Sequence, residues 1–92
     1  MDIVKQKLKV RKTKTGKIYL FWCNGCEQTH SFDVREDGGQ PTWEFNGDMD
    51  KPTFRPSLNY GRCHLFVRNG FIEYCGDCYH KFCGLDVPLE EF

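Results

Sequence analysis

The sequence predicts a mainly β, small β-rich α+β domain: antiparallel hairpins stapled by a Cys/His zinc site, with a short C-terminal helix. Three observations carry this. Runs of β-branched and aromatic residues are punctuated by Gly- and Asn-containing turns. Two C-x2-C elements are separated by 48 residues. A chain of 92 residues is one domain by length, and domains this small bury so little surface that a metal, a disulfide or a partner commonly completes them. Residues 1–92 therefore read as a single zinc-binding domain, with a basic N-terminal hairpin over 1–22 and a Cys/His core over 23–84.

Residues 3–12 alternate imperfectly, with Lys5, Lys7 and Lys9 set against Val4, Leu8 and Val10, which predicts an exposed strand. Turn chemistry at 13–16 leads into a second strand rich in β-formers over 17–22. The Cys23-Asn24-Gly25-Cys26 element breaks that strand, and 29–34 read as a third. Residues 35–41 are a polar, Gly-rich loop, and 42–45 a short strand. Pro52, Pro56 and Asn46-Gly47 argue against regular structure over 46–57, which is expected to lie as a long loop across the sheet.

The clearest local signal is Asn69-Gly70 between β-rich runs over 62–68 and 71–75. It predicts a two-residue type I′ hairpin whose length fixes the register. Arg68 then faces Phe71, Val67 faces Ile72, Phe66 faces Glu73, Leu65 faces Tyr74, and His64 faces Cys75. Cys63, Leu65, Val67, Ile72 and Tyr74 form a core face, so Cys63 and His64 point to opposite sides of the hairpin. Asp77 as N-cap and Gly84 as stop predict a short helix over 77–84.

Cys23-x-x-Cys26 and Cys75-x-x-Cys78 each carry a glycine between the thiols. That spacing lets a tight backbone wrap one ion, and two such knuckles suit the tetrahedron of four ligands that zinc takes. More donors are present than one ion needs: His30, Cys63, His64, His80 and Cys83 lie near the knuckles. A site of Cys23, Cys26, Cys63 and Cys78 is geometrically plausible, with His80 able to replace Cys63 or Cys75. The surplus allows two sites, or one closed site beside a polar cluster of His30, His64, Asp77 and His80. Taken alone, Cys83 and Cys75 read as small buried apolar residues. A redox role for the knuckles would need a βαβ context, which the sequence lacks.

Net charge is zero but unevenly spread. Residues 1–22 carry seven basic groups and one acid, and 23–92 carry six basic and twelve acidic groups. The acidic remainder argues against a general nucleic-acid binder and for an acidic protein partner or a solvated hairpin tip. The N-terminus shows no apolar h-region and no run approaches a membrane span, so the expected compartment is a bacterial cytoplasm, without membrane contact. Reduced cysteines are the rule there, which favours metal over disulfides.

Five ordered blocks carry a resemblance: Cys23-x-x-Cys26-x-x-x-His30; Trp43-x-Phe45-Asn46-Gly47-Asp48; Pro52-Thr53-Phe54-x-Pro56-Ser57; Cys63-His64-x-Phe66-Val67-x-x-Gly70-x-Ile72; and Asp77-Cys78-x-His80-x-x-x-Gly84. Over residues 19–89 the chain resembles a family of small Cys/His domains of unknown function from bacteriophages and prophages, sometimes labelled ammonia monooxygenase. That label conflicts with the absence of a membrane segment, since the enzyme class works in membranes with copper. The resemblance implies Cys23, Cys26, Cys78 and His80 as metal ligands, with Cys63 and His64 as further candidates, and leaves Cys75 and Cys83 outside the pattern. The block ending at Ser57 belongs to the resemblance without an assigned role; it is a rigid loop or a substrate or partner loop.

The resemblance leads to a zinc-stabilised phage-type interaction protein that binds and modulates a host or phage macromolecule, for example a CRISPR or other defence nuclease. The alternatives are a nucleic-acid module using the basic hairpin, and a zinc-dependent hydrolase built on His64, Asp77 and His30 with Asp48 or Glu73 as general base. The Cys-rich donor set favours a closed structural ion over catalysis.

Overall fold

The computed structural model describes residues 5–59, 61 and 63–92. The chain forms two antiparallel meanders. The first sheet has the order β1-β2-β3, with β1 at Lys9–Lys12, β2 at Gly16–Cys23 and β3 at Gln28–Arg35. The second has the order β4-β5-β6-β7-β8, at Glu44–Phe45, Phe54–Asn59, His64–Arg68, Phe71–Tyr74 and Asp86–Pro88. Every strand pairs with its sequence neighbour within a sheet, so no connection within a sheet crosses over a strand.

Period-two alternation builds the interior. Tyr19, Phe21 and Cys23 of β2 are buried, as are Phe32 of β3 and Phe54 of β5. Across the sheets Phe32 stacks on Phe54 with centroids 4.2 Å apart, Tyr19 meets Phe45 at 4.5 Å, and Trp43 meets Phe32 edge-on at 5.7 Å. The Asn69-Gly70 turn gives the register expected, from Arg68 opposite Phe71 through Leu65 opposite Tyr74. Cys63, Leu65, Val67, Ile72 and Tyr74 are all buried, as that register requires. The Asn69 N–H donates to Thr53 Oγ1 at 2.9 Å and the Gly70 N–H to the Pro52 carbonyl at 3.0 Å, fastening the turn to the segment before β5.

Two expectations need correction. The fold is all-β: among the described residues there is no helix, and 77–84 form successive turns. There Cys78 N–H donates to Cys75 O, Cys83 to His80 O and Leu85 to Phe82 O, each spanning three residues. The cap signals at Asp77 and Gly84 are outweighed because Cys78 and His80 turn inward, which a continuous helix on this short loop does not permit. Secondly, part of the expected 46–57 loop is strand β5. Its register shifts between Phe54 and Leu58, so Pro56 lies in a bulge, where its missing N–H costs no ladder bond. The C-terminal tail contributes edge strand β8, with Pro88 opposite Phe71.

The expected first strand over 3–12 is shorter, beginning at Lys9 among the described residues. Its Ile3 and Val4, like Arg62 at the start of the hairpin run, lie outside them. Beyond β8, Gln6 and Phe92 exchange backbone hydrogen bonds of 3.3 and 3.0 Å and close the two meanders onto each other. No described helix is long and apolar enough to cross a membrane.

Candidate active site and metal centre

Alternation along β6 separates two clusters built from adjacent residues. Cys63 points inward and His64 points outward, half-buried. On the inner side, the ligand atoms of Cys23, Cys26, Cys63 and His80 all lie within 4.8 Å of one another. Cys23 is the last residue of β2, Cys26 lies in the turn to β3, Cys63 precedes β6, and His80 sits in the turns between β7 and β8. Cys23 Sγ is 3.8 Å from Cys63 Sγ, and Cys63 Sγ is 3.5 Å from His80 Nε2. Gly25 makes the approach of His80 possible: a Cβ there would collide with the imidazole ring. The Tyr74 hydroxyl lies 3.3 Å from Cys23 Sγ and accepts the Gly25 N–H at 3.3 Å, fixing the knuckle to β7.

The electrostatics suit a cation. A hydrogen bond from Cys63 holds the Cys23 thiol well below the ordinary range; burial opposes it, and bonds from His30, Tyr74 and the Cys26 N–H assist it. The same bond pushes Cys63 up, with burial adding to it. Burial also raises Cys26, and then the neighbouring Cys23 charge does. A bound metal would take these sulfurs as thiolates and displace their protons. Three sulfurs and one imidazole are donors for zinc-type chemistry.

On the outer side, three strands converge. Asn59 pairs with His64 across β5 and β6, and the bulge brings Ser57, two residues earlier, to the same imidazole. Ser57 Oγ is 2.9 Å from His64 Nε2. The His64 Nδ1 is 3.3 Å from Asp77 Oδ2, in the turn beyond β7. The Trp43 indole N–H donates to the Ser57 carbonyl at 3.3 Å. Arg35, Trp43, Glu44, Phe45, Arg55 and Pro56, the last adjacent in sequence to Ser57, line an open cleft of about 820 Å³. A hydroxyl, an imidazole and a carboxylate in hydrogen-bonded series is the arrangement of nucleophile, general base and orienting group used in acyl transfer.

The other candidates fall as follows. Cys78 is not among the four inner donors: its Sγ lies 2.9 Å from the His64 carbonyl and 3.2 Å from the His64 amide, clipping the turn to β6. His30 is buried on β3 and bonds to Cys23, on the metal side, away from the His64–Asp77 pair. Cys83 donates to the Gly76 carbonyl. Asp48 accepts the Asp50 and Lys51 N–H groups, which hold its carboxyl below the usual range, and Glu73 pairs with Arg68 at 3.1 Å. Cys75 faces His64, as the hairpin register expects, and its thiol is raised by burial and then by Asp77. Ser57 is the residue sequence reasoning left without a role. It ends a block singled out for its prolines, and nothing in its local spacing points to His64.

The model of one family matches residues 1–75: the bacterial ubiquitination-like system serine proteases, BubE. Covering most of the chain, it makes this protein a member of that family. The match contains Ser57 and His64 and ends before Asp77, whose role rests on geometry. No curated protein and no solved structure matches the chain.

Proposed function

We propose that this protein is a serine protease with Ser57 as nucleophile, His64 as general base and Asp77 as the group that orients it, braced by a structural zinc at Cys23, Cys26, Cys63 and His80. The observation that carries the reading is the unbroken series Ser57 Oγ, His64 Nε2, His64 Nδ1, Asp77 Oδ2, at 2.9 and 3.3 Å. It agrees with the activity in the family's description, and that description makes a protein of a ubiquitination-like system the proposed substrate.

In this mechanism His64 Nε2 takes the Ser57 proton as Oγ attacks the scissile carbonyl. The tetrahedral intermediate collapses, and Nε2–H delivers the proton to the departing amine. Water then cleaves the acyl–Ser57 ester by the same steps, with His64 again as base. Asp77 accepts the Nδ1–H and so keeps Nε2 free to take a proton. The substrate chain would lie in the cleft of Arg35, Trp43 and Arg55, whose lining ends at Pro56, the residue before Ser57.

Zinc fits the inner cluster by a direct measure. Tetrahedral ligation with Zn–S near 2.3 Å separates two sulfurs by about 3.8 Å, and Cys23 and Cys63 are 3.8 Å apart. Four protein ligands leave no position for a water nucleophile, so the ion would supply rigidity and take no part in bond cleavage. Because Cys63 adjoins His64, and His80 follows Asp77 by three residues, the metal would fix two of the three triad members, His64 and Asp77.

The test is labelling with a fluorophosphonate, which reacts only with an activated serine. Intact-mass measurement should show one adduct on Ser57 of the zinc-loaded protein, and none on Ser57→Ala or His64→Ala of unchanged metal content and melting temperature. A folded, zinc-loaded wild type that never forms the adduct would overturn the assignment and leave the zinc-stabilised interaction protein as the better reading.

A further inference from the structure

Two residues of the triad also belong to a candidate metal site. His64, Cys75 and Asp77 bring their ligand atoms within 4.8 Å of one another. The cause is local: Cys75 N–H donates to the His64 carbonyl at 2.9 Å, placing Cys75 directly across the ladder from His64, and Asp77 follows two residues later. This group shares no residue with the inner cluster and opens on the opposite face of β6. It is reachable from solvent, with the His64 and Asp77 side chains 28% and 66% exposed.

We propose that His64, Cys75 and Asp77 form a second, exchangeable site for a thiophilic divalent cation such as Zn²⁺, and that filling it switches the protease off. The proposal rests on the triad reading for its consequence, though not for the site itself. Sulfur, nitrogen and oxygen donors with remaining positions left to water are a three-ligand zinc arrangement, and thiolate with imidazole selects zinc over magnesium or calcium. The Ser57–His64–Asp77 series leaves the Cys75 thiol unused.

Inhibition follows from proton bookkeeping on one ring. In the active form His64 carries its proton on Nδ1, toward Asp77, and Nε2 accepts from Ser57. A metal on Nδ1 displaces that proton. The neutral ring then carries its single proton on Nε2, where it can no longer take one from Ser57. The Nδ1 proton lost and the Nε2 proton gained cancel, so the net release is one proton, from the Cys75 thiol. Asp77 is at the same time drawn from the imidazole to the metal.

The experiment starts from protein whose first site is already filled with one zinc, and adds Co²⁺ or Zn²⁺. Native mass spectrometry counts the ions, the near-ultraviolet thiolate-to-cobalt band reports Cys75 ligation, and the rate of fluorophosphonate labelling reports the triad. The expected result is a second ion and a cobalt–thiolate band in the wild type, both lost in Cys75→Ala. Labelling of the wild type should slow by about 10⁴-fold at saturation, the order of holding the imidazole in the wrong tautomer. Cys75→Ala should label at the wild-type rate with or without added metal. No second ion, or equal slowing in both proteins, would overturn the site. A second Cys75-dependent ion on a protein that never labels would uphold the site and refute the switch together with the protease reading.

Discussion

At one end of the interior, Phe32 lies on Phe54 with ring centroids 4.2 Å apart; at the other, Cys23 faces Cys63 at 3.8 Å. The same strands supply both ends. Strand β2 delivers Tyr19 and Phe21 to the aromatic end and finishes at Cys23. Strand β5 begins at the buried Phe54 and reaches Ser57 three residues on. The aromatic end is held by contacts that are individually weak, numerous and without strict direction. The Cys/His end has turns in place of ladders and depends on a few donors whose directions must all be right. An apolar core tolerates partial loss, whereas a four-ligand centre does not. On the proposed reading, placing the triad beside the second kind of construction would tie catalysis to the occupancy of the metal.

The largest expected effect breaks the brittle end outright. Cys63→Ser should abolish stoichiometric zinc binding and the cooperative thermal transition, since structural zinc in small domains contributes on the order of 10 kcal/mol. Cys83→Ser, whose thiol only caps the Gly76 carbonyl, should keep both. Calorimetry with metal analysis checks the pair, and a cooperatively melting, metal-free Cys63→Ser protein would remove the contrast.

Next comes a change that spares the fold. Asp77→Asn should slow fluorophosphonate labelling and turnover by about 10⁴-fold through the wrong imidazole tautomer. Its melting temperature should stay close to wild type, because Asp77 is exposed. A small loss of rate would show that another group orients His64.

At the aromatic end, Phe54→Ala should cost about 3–5 kcal/mol, a fall in Tm of at least about 12 °C. Zinc stoichiometry should be unchanged, so metal released along with stability would mean that the two ends are one cooperative unit.

The smallest effect lies at the hairpin. Gly70 has φ +80° and is buried, and a Cβ would stand 3.2 Å from the Asp50 carbonyl oxygen. Gly70→Ala should cost about 1–2 kcal/mol by denaturant titration, with the labelling rate at Ser57 unaltered. A change in that rate would show that the turn transmits strain along β6 to His64.

The readable parts of the chain were those in which neighbours in sequence decide the outcome. Asn69-Gly70 admits few turn geometries, so the register of Leu65 with Tyr74 and the facing of His64 and Cys75 followed from two residues. Alternation put Cys63 and His64 on opposite faces by the same logic. The helix expected over 77–84 was misread because cap residues report local preference, and there Cys78 and His80 are drawn inward by partners far away in the chain. Strand β5 was hidden because two prolines in a short segment ordinarily exclude a ladder, and only a partner strand with a register shift admits them.

By itself, then, the sequence determined the β character, the hairpin, the inward and outward faces of β6 and the stock of Cys and His donors. These depend on backbone sterics and the period of two, which act over a few residues. Only the tertiary structure decided that Cys63 joins Cys23, Cys26 and His80 while Cys78 clips the backbone of His64. It alone joined Ser57 to His64 and Asp77. Those residues meet through strand pairing across a bulge and through loops closed from separate parts of the chain. Which donors coincide is set by how two sheets pack, and no spacing along the chain encodes that.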